Sequence, residues 1–564
     1  MATIVFGALL IFGAALRIYA WIGNPSLWID EAALARNIID RGFLALLAPL
    51  DTQQVAAPGF LWLEKIAITL FGTGERALRL VPLLASLASL PLFALVARRL
   101  LRPIAAAFAL SLFATATPLL FYASETKQYS LDVAIALALF ALALRVRGAG
   151  LEARTATSDG ERGSSLTALA VAGTLAPWFS QPSVFALGGV AFYLAIPFFR
   201  ARDGAERRAT IRRLLPLFTL WAVGGGASIA RSIVQMDPAT RAALDNYWSH
   251  GFIPVTSGLA ASMKWLGGTT HDVFTWLFPP IAATITIALF VLGVAALIRR
   301  ADGGASLLLA PLGLALLASA LRLYPVSFRL LLFTAPSLLI AVGAGADALL
   351  TLARAPFERG SNARQRVRVR EREAGAGGGN QLAPSALVTV VLCIGFALVA
   401  ARSAMAMVEI PFYREELRPL VRHLAHSRES GDAIYVYYGA APAFRYYATR
   451  DGIPATAYQL GSCDRDDWRA YLRELDALRG RSRVWFVMSH AFRKAGIQED
   501  SLFLRYFATL GTTTDSLSGV GAELRLYDLT GPSRPSDSTS FVPPPSGDTS
   551  LARIGCTGAV SDSP

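Results

Sequence analysis

Residues 78–102 read LRLVPLLASLASLPLFALVARRLLR. The run is apolar apart from Ser, Pro and one Arg near its start, and it ends abruptly in Arg98, Arg99 and Arg102. A helix needs about 20 such residues to cross the hydrocarbon core of a bilayer. The stretch therefore reads as a membrane helix over 78–97 with a cationic stop.

The same pattern recurs along the chain. It predicts eleven spans, at 2–21, 78–97, 104–122, 129–144, 166–180, 183–199, 214–230, 276–298, 305–321, 330–352 and 384–402. The 564 residues are 54% hydrophobic and 16% charged, with a mean hydropathy of +0.45. Soluble chains carry roughly 25% charged residues, so a cytosolic enzyme, a disordered chain and a secreted disulfide scaffold are excluded. The expected class is a polytopic α-helical membrane protein. The first span lacks a basic region before it and a small-residue cleavage site after it, so it reads as a retained helix. The apolar segment Pro58–Phe71 is too short to span and holds Glu64 and Lys65 at its centre; it reads as an interfacial helix.

Arginine sets the orientation. The net charge is +13, and Lys contributes only four residues (Lys65, Lys127, Lys264, Lys494). With the N-terminus in the cytoplasm, the inner loops hold 22 Arg, whereas the short outer turns hold Lys127, Arg322 and Arg329. That asymmetry has the sign of the positive-inside rule. The charge thus records topology, and no nucleic-acid partner is implied. The chain is expected in the inner membrane with its C-terminal region outside, in the periplasm or its equivalent. Residues 1–403 would form the membrane domain, with outer loops at 22–77 and 231–275. A basic, Gly-rich cytoplasmic linker covers 353–383 and reads as flexible. Residues 410–530 alternate strand-like and helical segments, which predicts a small α/β domain outside the membrane. The tail 531–564 is rich in Pro, Ser and Thr and reads as disordered. Cys393 falls in the last span. Cys463 and Cys556 both fall outside, where a disulfide persists; they are either bridged or two free thiols.

The polar residues worth attention lie at outer helix ends. Ser26-Leu-Trp-Ile-Asp30-Glu31-Ala follows directly on the first helix. Adjacent carboxylates at a membrane mouth should raise at least one pKa toward the range useful for a general base. The alternative is helix capping, with Asp30 or Ser26 opening an amphipathic helix over 31–41. Further along the loop come Ala57-Pro58-Gly59-Phe60-Leu-Trp62 and Leu70-Phe71-Gly72-Thr-Gly-Glu75-Arg-Ala-Leu78-Arg79-Leu-Val-Pro82.

This succession resembles the first outer loop of polyprenyl-phosphate-dependent glycosyltransferases of the GT-C fold. It is similar to the family 39 branch that groups dolichyl-phosphate-mannose protein mannosyltransferases with bacterial aminoarabinose transferases. That branch has an acidic pair after the first helix, a Pro-Pro-Leu-like segment, and Phe-Gly before an Arg-Leu-Pro start to the second helix. Here Pro58-Gly59 replaces the double proline, and Ala56-Ala57-Pro58 stands where the aminoarabinose branch has Glu-Lys-Pro. Donor or acceptor handling is therefore expected to differ. The likeness is clearest over 15–145 and 320–345.

The resemblance implies an inverting glycosyltransferase of the cell envelope. Its donor is a sugar on a polyprenyl phosphate, and its acceptor a glycan, lipid or protein. Asp30 is then the general base, and Glu31 orients the loop or the acceptor. In the turn Tyr122-Ala-Ser124-Glu125-Thr-Lys127-Gln128-Tyr129, Lys127 and Tyr129 would meet the donor phosphate, and Glu125 would serve as a second acid or a metal ligand. In Leu321-Arg322-Leu-Tyr324-Pro325-Val-Ser327-Phe-Arg329, Tyr324 and Arg329 would do the same, since a guanidinium donates two parallel bonds to phosphate. Some family members use a divalent cation, and no ligand set in this chain compels one. The bland readings are interfacial anchoring for the first turn and a snorkelling Arg329 for the second. Arg17 and Arg79 also read as snorkelling. Asp237, Asp245, His250, His271 and Asp272, among Trp248, Trp265 and Trp276, read as a plain interfacial loop; Tyr435, Tyr437, Tyr438, Tyr446 and Tyr447 read as domain core. No phosphate-binding Gly-Lys-Ser loop or strand-linked Gly-x-Gly-x-x-Gly is present, which fits a lipid-borne donor rather than a nucleotide. The rival is a transporter or flippase of a lipid-linked sugar. Transporters place ionisable residues at mid-bilayer on broken helices, whereas here they gather at outer helix ends.

Overall fold

The computed structural model describes residues 2–151, 158–236, 238–300, 302–368, 414–465, 468–494 and 497–531, with a few positions between 394 and 405. The chain forms two units. One takes Met1–Ile22, Arg79–Ser232 and His250–Ile410; the other takes Gly23–Leu78, Ile233–Ser249 and Pro411–Pro564.

The first unit is a helical bundle, and the protein is a polytopic helical membrane protein. Among the described residues, seven helices are long and apolar enough to cross a bilayer: Thr3–Gly23, Leu80–Leu100, Tyr129–Arg147, Ser183–Arg200, Gly204–Val234, Ala282–Arg300 and Phe328–Leu352. Pro103–Thr115 and Thr117–Ser124 make an eighth if the bent pair counts as one span. Ser164–Phe179 and Gly304–Ala320 are apolar but shorter. The expected span at 384–402 lies largely outside the described residues, as do Cys393, Cys556 and the tail. The helix Ala335–Arg368 runs on into the stretch read as a linker.

The bend in the third span has a local cause that also explains Arg17. The two segments meet at 55°. Pro118 follows the break, and proline has no N–H for the carbonyl four residues earlier, which is Ala114. Arg17 fills the gap. It is fully buried and donates to the carbonyls of Ala114 (3.1 Å), Phe113 (3.3 Å) and Gly13 (2.9 Å) and to Ser86 Oγ (2.8 Å). The expected snorkelling is therefore corrected: a buried guanidinium ties the first helix to the helices Leu80–Leu100 and Pro103–Thr115. Arg79 is buried as well. Elsewhere small residues set the spacing. A Cβ added at Gly293 would fall 1.8 Å from the Ala341 carbonyl oxygen, and one at Gly345 would fall 1.9 Å from that of Leu289. Only glycine lets these two helix backbones touch.

The second unit combines the first loop with the C-terminal residues. The helix Ile29–Asp40 is followed by Pro58–Phe71, as the short apolar segment predicted. Lys65 Nζ bonds the Ile38 and Ile39 carbonyls at 2.9 and 3.0 Å, satisfying orphan acceptors at the end of the preceding helix. The C-terminal part is the expected small α/β fold. Its strands are β1 (Ala433–Val436), β2 (Gln459–Leu460), β3 (Val484–Ser489), β4 (Arg493–Lys494), β5 (Ile497–Gln498), β6 (Thr512–Gly519) and β7 (Ala522–Asp528). The main sheet has the order β2-β1-β3-β7-β6, parallel among the first three and antiparallel thereafter. The central strand β3 is buried along its whole length, the pattern of a strand covered on both faces. Alternate residues Tyr435, Phe486 and Met488 face a core with Tyr471, Phe503 and Phe507. The five tyrosines read as core are all buried. Tyr437, Tyr438 and Tyr471 each donate to the Glu499 carboxylate. Burial still pushes Glu499 above its ordinary value against those bonds. Cys463 is disulfide-bonded.

Candidate functional site

The acidic pair is built by the start of one helix. Ile29–Asp40 carries Asp30 and Glu31 in its first turn. Its N-cap residue is Trp28, which makes no side-chain capping bond of its own, so the helix start is bonded by other groups. The task falls to two carboxylates of the C-terminal segment. Glu415 Oε2 accepts from the Ile29 N–H at 3.1 Å, and Glu416 accepts from the Ser26 N–H and Oγ at 2.9 and 3.0 Å. Ser26 Oγ in turn accepts from the Arg418 N–H at 3.2 Å, in the first turn of the helix Leu417–Ser427. Each helix start is served by the other segment.

Three further ionisable groups surround the pair. His490 Nδ1 lies 2.6 Å from Glu415 Oε1, and its ring centroid is 6.4 Å from that of Trp28. His490 has φ +53, in the left-handed region. Burial pulls its imidazole down, but the Glu415 hydrogen bond and the charges of Glu415 and Asp30 outweigh this and hold it above its ordinary value. The guanidinium of Arg414 stands 4.1 Å from the face of Trp28. On the other side is Glu64, fully buried, with no hydrogen-bond partner for either oxygen among the described residues. Burial first, and then the charge of Glu31, push Glu64 well above the ordinary carboxylate range. It is thus Glu64, not named as a candidate from sequence, whose acid is displaced.

Glu64 makes a stability prediction. The folded protein holds its proton more tightly than the unfolded chain, whose value is about 4.3. Stability is therefore fully present below that value and falls as pH rises toward the raised folded one, at up to about 1.4 kcal/mol per pH unit. Glu64→Gln should match wild type near pH 4.5 and melt at higher temperature at pH 8. A melting-temperature difference that does not grow with pH would refute this.

The remaining candidates belong to the bundle unit. Glu125 and Lys127 are buried in the turn after the bent span, with the Lys127 N–H bonded to the Glu125 carbonyl at 2.7 Å. Tyr129 opens the next helix, its ring 4.8 Å from Tyr122. Arg329 sits in the 3-10 turn Phe328–Thr334. Tyr324 donates its hydroxyl to the Leu330 carbonyl at 2.7 Å, so that group is already engaged. The two turns come to the same end of the bundle: the Tyr122 ring lies 6.2 Å from Trp276, which lies 5.9 Å from Phe328 beside Arg329. One residue here escaped the sequence reading. Asp132, one turn into the helix Tyr129–Leu151, is buried; its signal was a lone acid in an apolar run. Among the described residues, no three His, Cys, Asp or Glu side chains are gathered so as to hold a metal ion.

No protein-family model and no curated protein matches this chain. Among solved structures it is similar to ArnT from Cupriavidus metallidurans in the apo state, at 14% identity and a TM-score of 0.45, covering 92% of this chain and 98% of that one. The same protein bound to undecaprenyl phosphate matches at 14% and 0.45, over 93% and 99% of the two chains. The oligosaccharyltransferase AglB from Archaeoglobus fulgidus, in complex with an inhibitory peptide and a dolichol-phosphate, matches at 11% and 0.48, over 95% and 75%.

Proposed function

We propose that this protein is an integral-membrane, inverting glycosyltransferase of the GT-C type that moves a sugar from a polyprenyl-phosphate donor to an extracytoplasmic glycan, lipid or protein. The observation that carries the reading is the anchored acidic turn. Asp30 and Glu31 follow directly on the first apolar helix, and carboxylates of a folded domain bind the backbone on which they stand.

The acceptor hydroxyl approaches from the outer side, and the Asp30 carboxylate takes its proton as general base. The hydroxyl oxygen forms a bond to the anomeric carbon on the face opposite the phosphate. The bond from that carbon to the phosphate oxygen breaks, and its electron pair leaves with the lipid phosphate. Arg329 and Lys127, with Tyr129, stabilise that charge; Tyr324, its hydroxyl committed to the Leu330 carbonyl, is left out of that role. Glu31 orients the loop or the acceptor, and Glu125 is either a second acid or a metal ligand. Glu415 and His490 hold the turn that carries the base.

The orientation follows the arginine bias: the N-terminus lies in the cytoplasm and the C-terminal domain is periplasmic or otherwise extracytoplasmic, the chain being integral to the cell (inner) membrane. Residues 23–78 and the C-terminal residues belong to one unit, which supports a shared side. A shared side requires an even number of crossings between them, as the eleven-span count has.

The test is transfer in vitro by purified protein from a panel of polyprenyl-phosphate sugars, with the anomeric configuration of the product read by NMR. At least one donor should be consumed with inversion. If none is consumed while a lipid-linked sugar crosses the bilayer of proteoliposomes, the transporter reading replaces this one.

A further inference from the structure

A second polar site lies within the unit that carries the acidic turn, and nothing in the mechanism above uses it. Glu75, Arg418, Arg422, Tyr447, Arg450 and Asp451 line a cleft of about 350 Å³. That lies within the roughly 300–1,000 Å³ range of small-molecule sites. Every lining side chain ends in a polar group.

The wall is built rather than incidental. Arg418 donates to Glu75 Oε1 at 2.9 Å and to the Asn24 carbonyl at 2.8 Å. The Tyr447 hydroxyl accepts from the Leu27 N–H at 2.6 Å and donates to Glu75 Oε1 at 3.1 Å. Arg450 donates to the Thr73 carbonyl at 3.0 Å. Two of the three guanidiniums are thereby fixed before any ligand arrives, which reduces the ordering cost of binding.

Charge decides what the cleft accepts. Arg418 and Arg422 stand four residues apart on the helix Leu417–Ser427, a spacing at which like charges repel. Arg450, in the last turn of the helix Ala441–Arg450, adds a third cation. The carboxylate of Glu75 already serves Arg418 and Tyr447. Three cations against two acids leave an excess positive charge. A bound oxyanion would relieve the repulsion, and guanidinium forks suit phosphate and carboxylate alike. Asp451 carries acceptor oxygens of the kind sugar hydroxyls bind, and an amide in its place would keep one such oxygen while removing a charge that opposes an oxyanion.

We propose that this cleft binds an acidic sugar, a phosphorylated or carboxylated monosaccharide unit. On the glycosyltransferase reading it holds the acceptor, and that role rests on that reading; binding itself does not.

The experiment is equilibrium titration of the full-length protein in detergent with glucose 1-phosphate, glucuronate, glucose and inorganic phosphate. The two acidic sugars should bind and glucose should not. Arg422→Gln should weaken their binding about five-fold and Asp451→Asn should tighten it by a similar factor, each the scale of one charge-assisted contact. The opposite signs separate recognition from a general loss of folding. Unchanged affinity in Arg422→Gln, or equal binding of glucose, overturns the proposal. Inorganic phosphate binding as tightly as glucose 1-phosphate also overturns it, since the site would then read only the oxyanion. Titration needs no donor and no turnover, so its failure leaves sugar transfer standing, and a failure of transfer leaves the cleft standing.

Discussion

Replacing Asp30 by Asn is expected to lower kcat for sugar transfer by roughly 10²–10⁴-fold, the usual worth of a positioned general base. The substitution keeps size and polarity but removes the lone pair that takes the acceptor proton. Donor affinity should stay within about two-fold of wild type, because the phosphate contacts are assigned to other residues and a loss confined to the transition state appears in kcat. Melting temperature should change little: Asp30 is part-exposed, and Glu415 accepts from the Ile29 N–H at the helix start. Transfer by the Asn variant at the wild-type rate would remove Asp30 as the base. Loss of donor binding instead would move it to the phosphate side of the reaction.

The parts of this protein that sequence disclosed share one property: they are local. Apolar runs ending in arginine mark membrane helices because bilayer thickness fixes their length. The continuous apolar run of β3 marks a doubly covered strand. Pro58 and Gly72 bracket a short helix over Pro58–Phe71. What sequence hid depends on distant partners. Arg17 looked like a residue reaching for headgroups; its acceptors are carbonyls nearly a hundred residues away, one of them freed by Pro118. β6 reads Thr-Thr-Thr-Asp-Ser-Leu-Ser-Gly and passes for a polar loop until β7 supplies its ladder.

The candidate site divides the same way. Asp30 and Glu31 were legible because two acids abut a membrane helix. Glu64 was visible only as an acid in the middle of an apolar run, and nothing local says that its carboxyl is buried with no hydrogen-bond partner among the described residues. Glu415 and His490 lie nearly four hundred residues or more from Asp30 in sequence, in a segment whose composition announces only a small domain. No spacing rule connects them. The contact exists because the first loop and the C-terminal residues fold as one unit, and that pairing is a tertiary fact.

Glu415→Ala is therefore the sharper test of that pairing. Glu415 is buried and serves two donors at once, the Ile29 N–H and the His490 ring. Removing it orphans a backbone donor at a helix start and strips His490 of the carboxylate that holds its proton. An unsatisfied buried donor costs about 1–3 kcal/mol, so melting temperature should fall by several degrees. Transfer should fall further than that loss explains, by about ten-fold or more in kcat, since small displacements of a base are costly. His490→Asn separates the two effects. Asn tolerates the left-handed backbone that His490 adopts, so the chain path is kept while the cation is lost. The stabilising share of His490 is fully present below its unfolded value, near 6.5, and vanishes as pH rises through the raised folded one. The melting-temperature gap between wild type and His490→Asn should thus close from pH 6 to pH 9. A kcat deficit in Glu415→Ala that His490→Asn shares only at the lower pH would mean that the charge positions Asp30. A deficit in Glu415→Ala alone, at every pH, would mean that the Ile29 bond does, and full activity in both would release the C-terminal domain from any part in the chemistry.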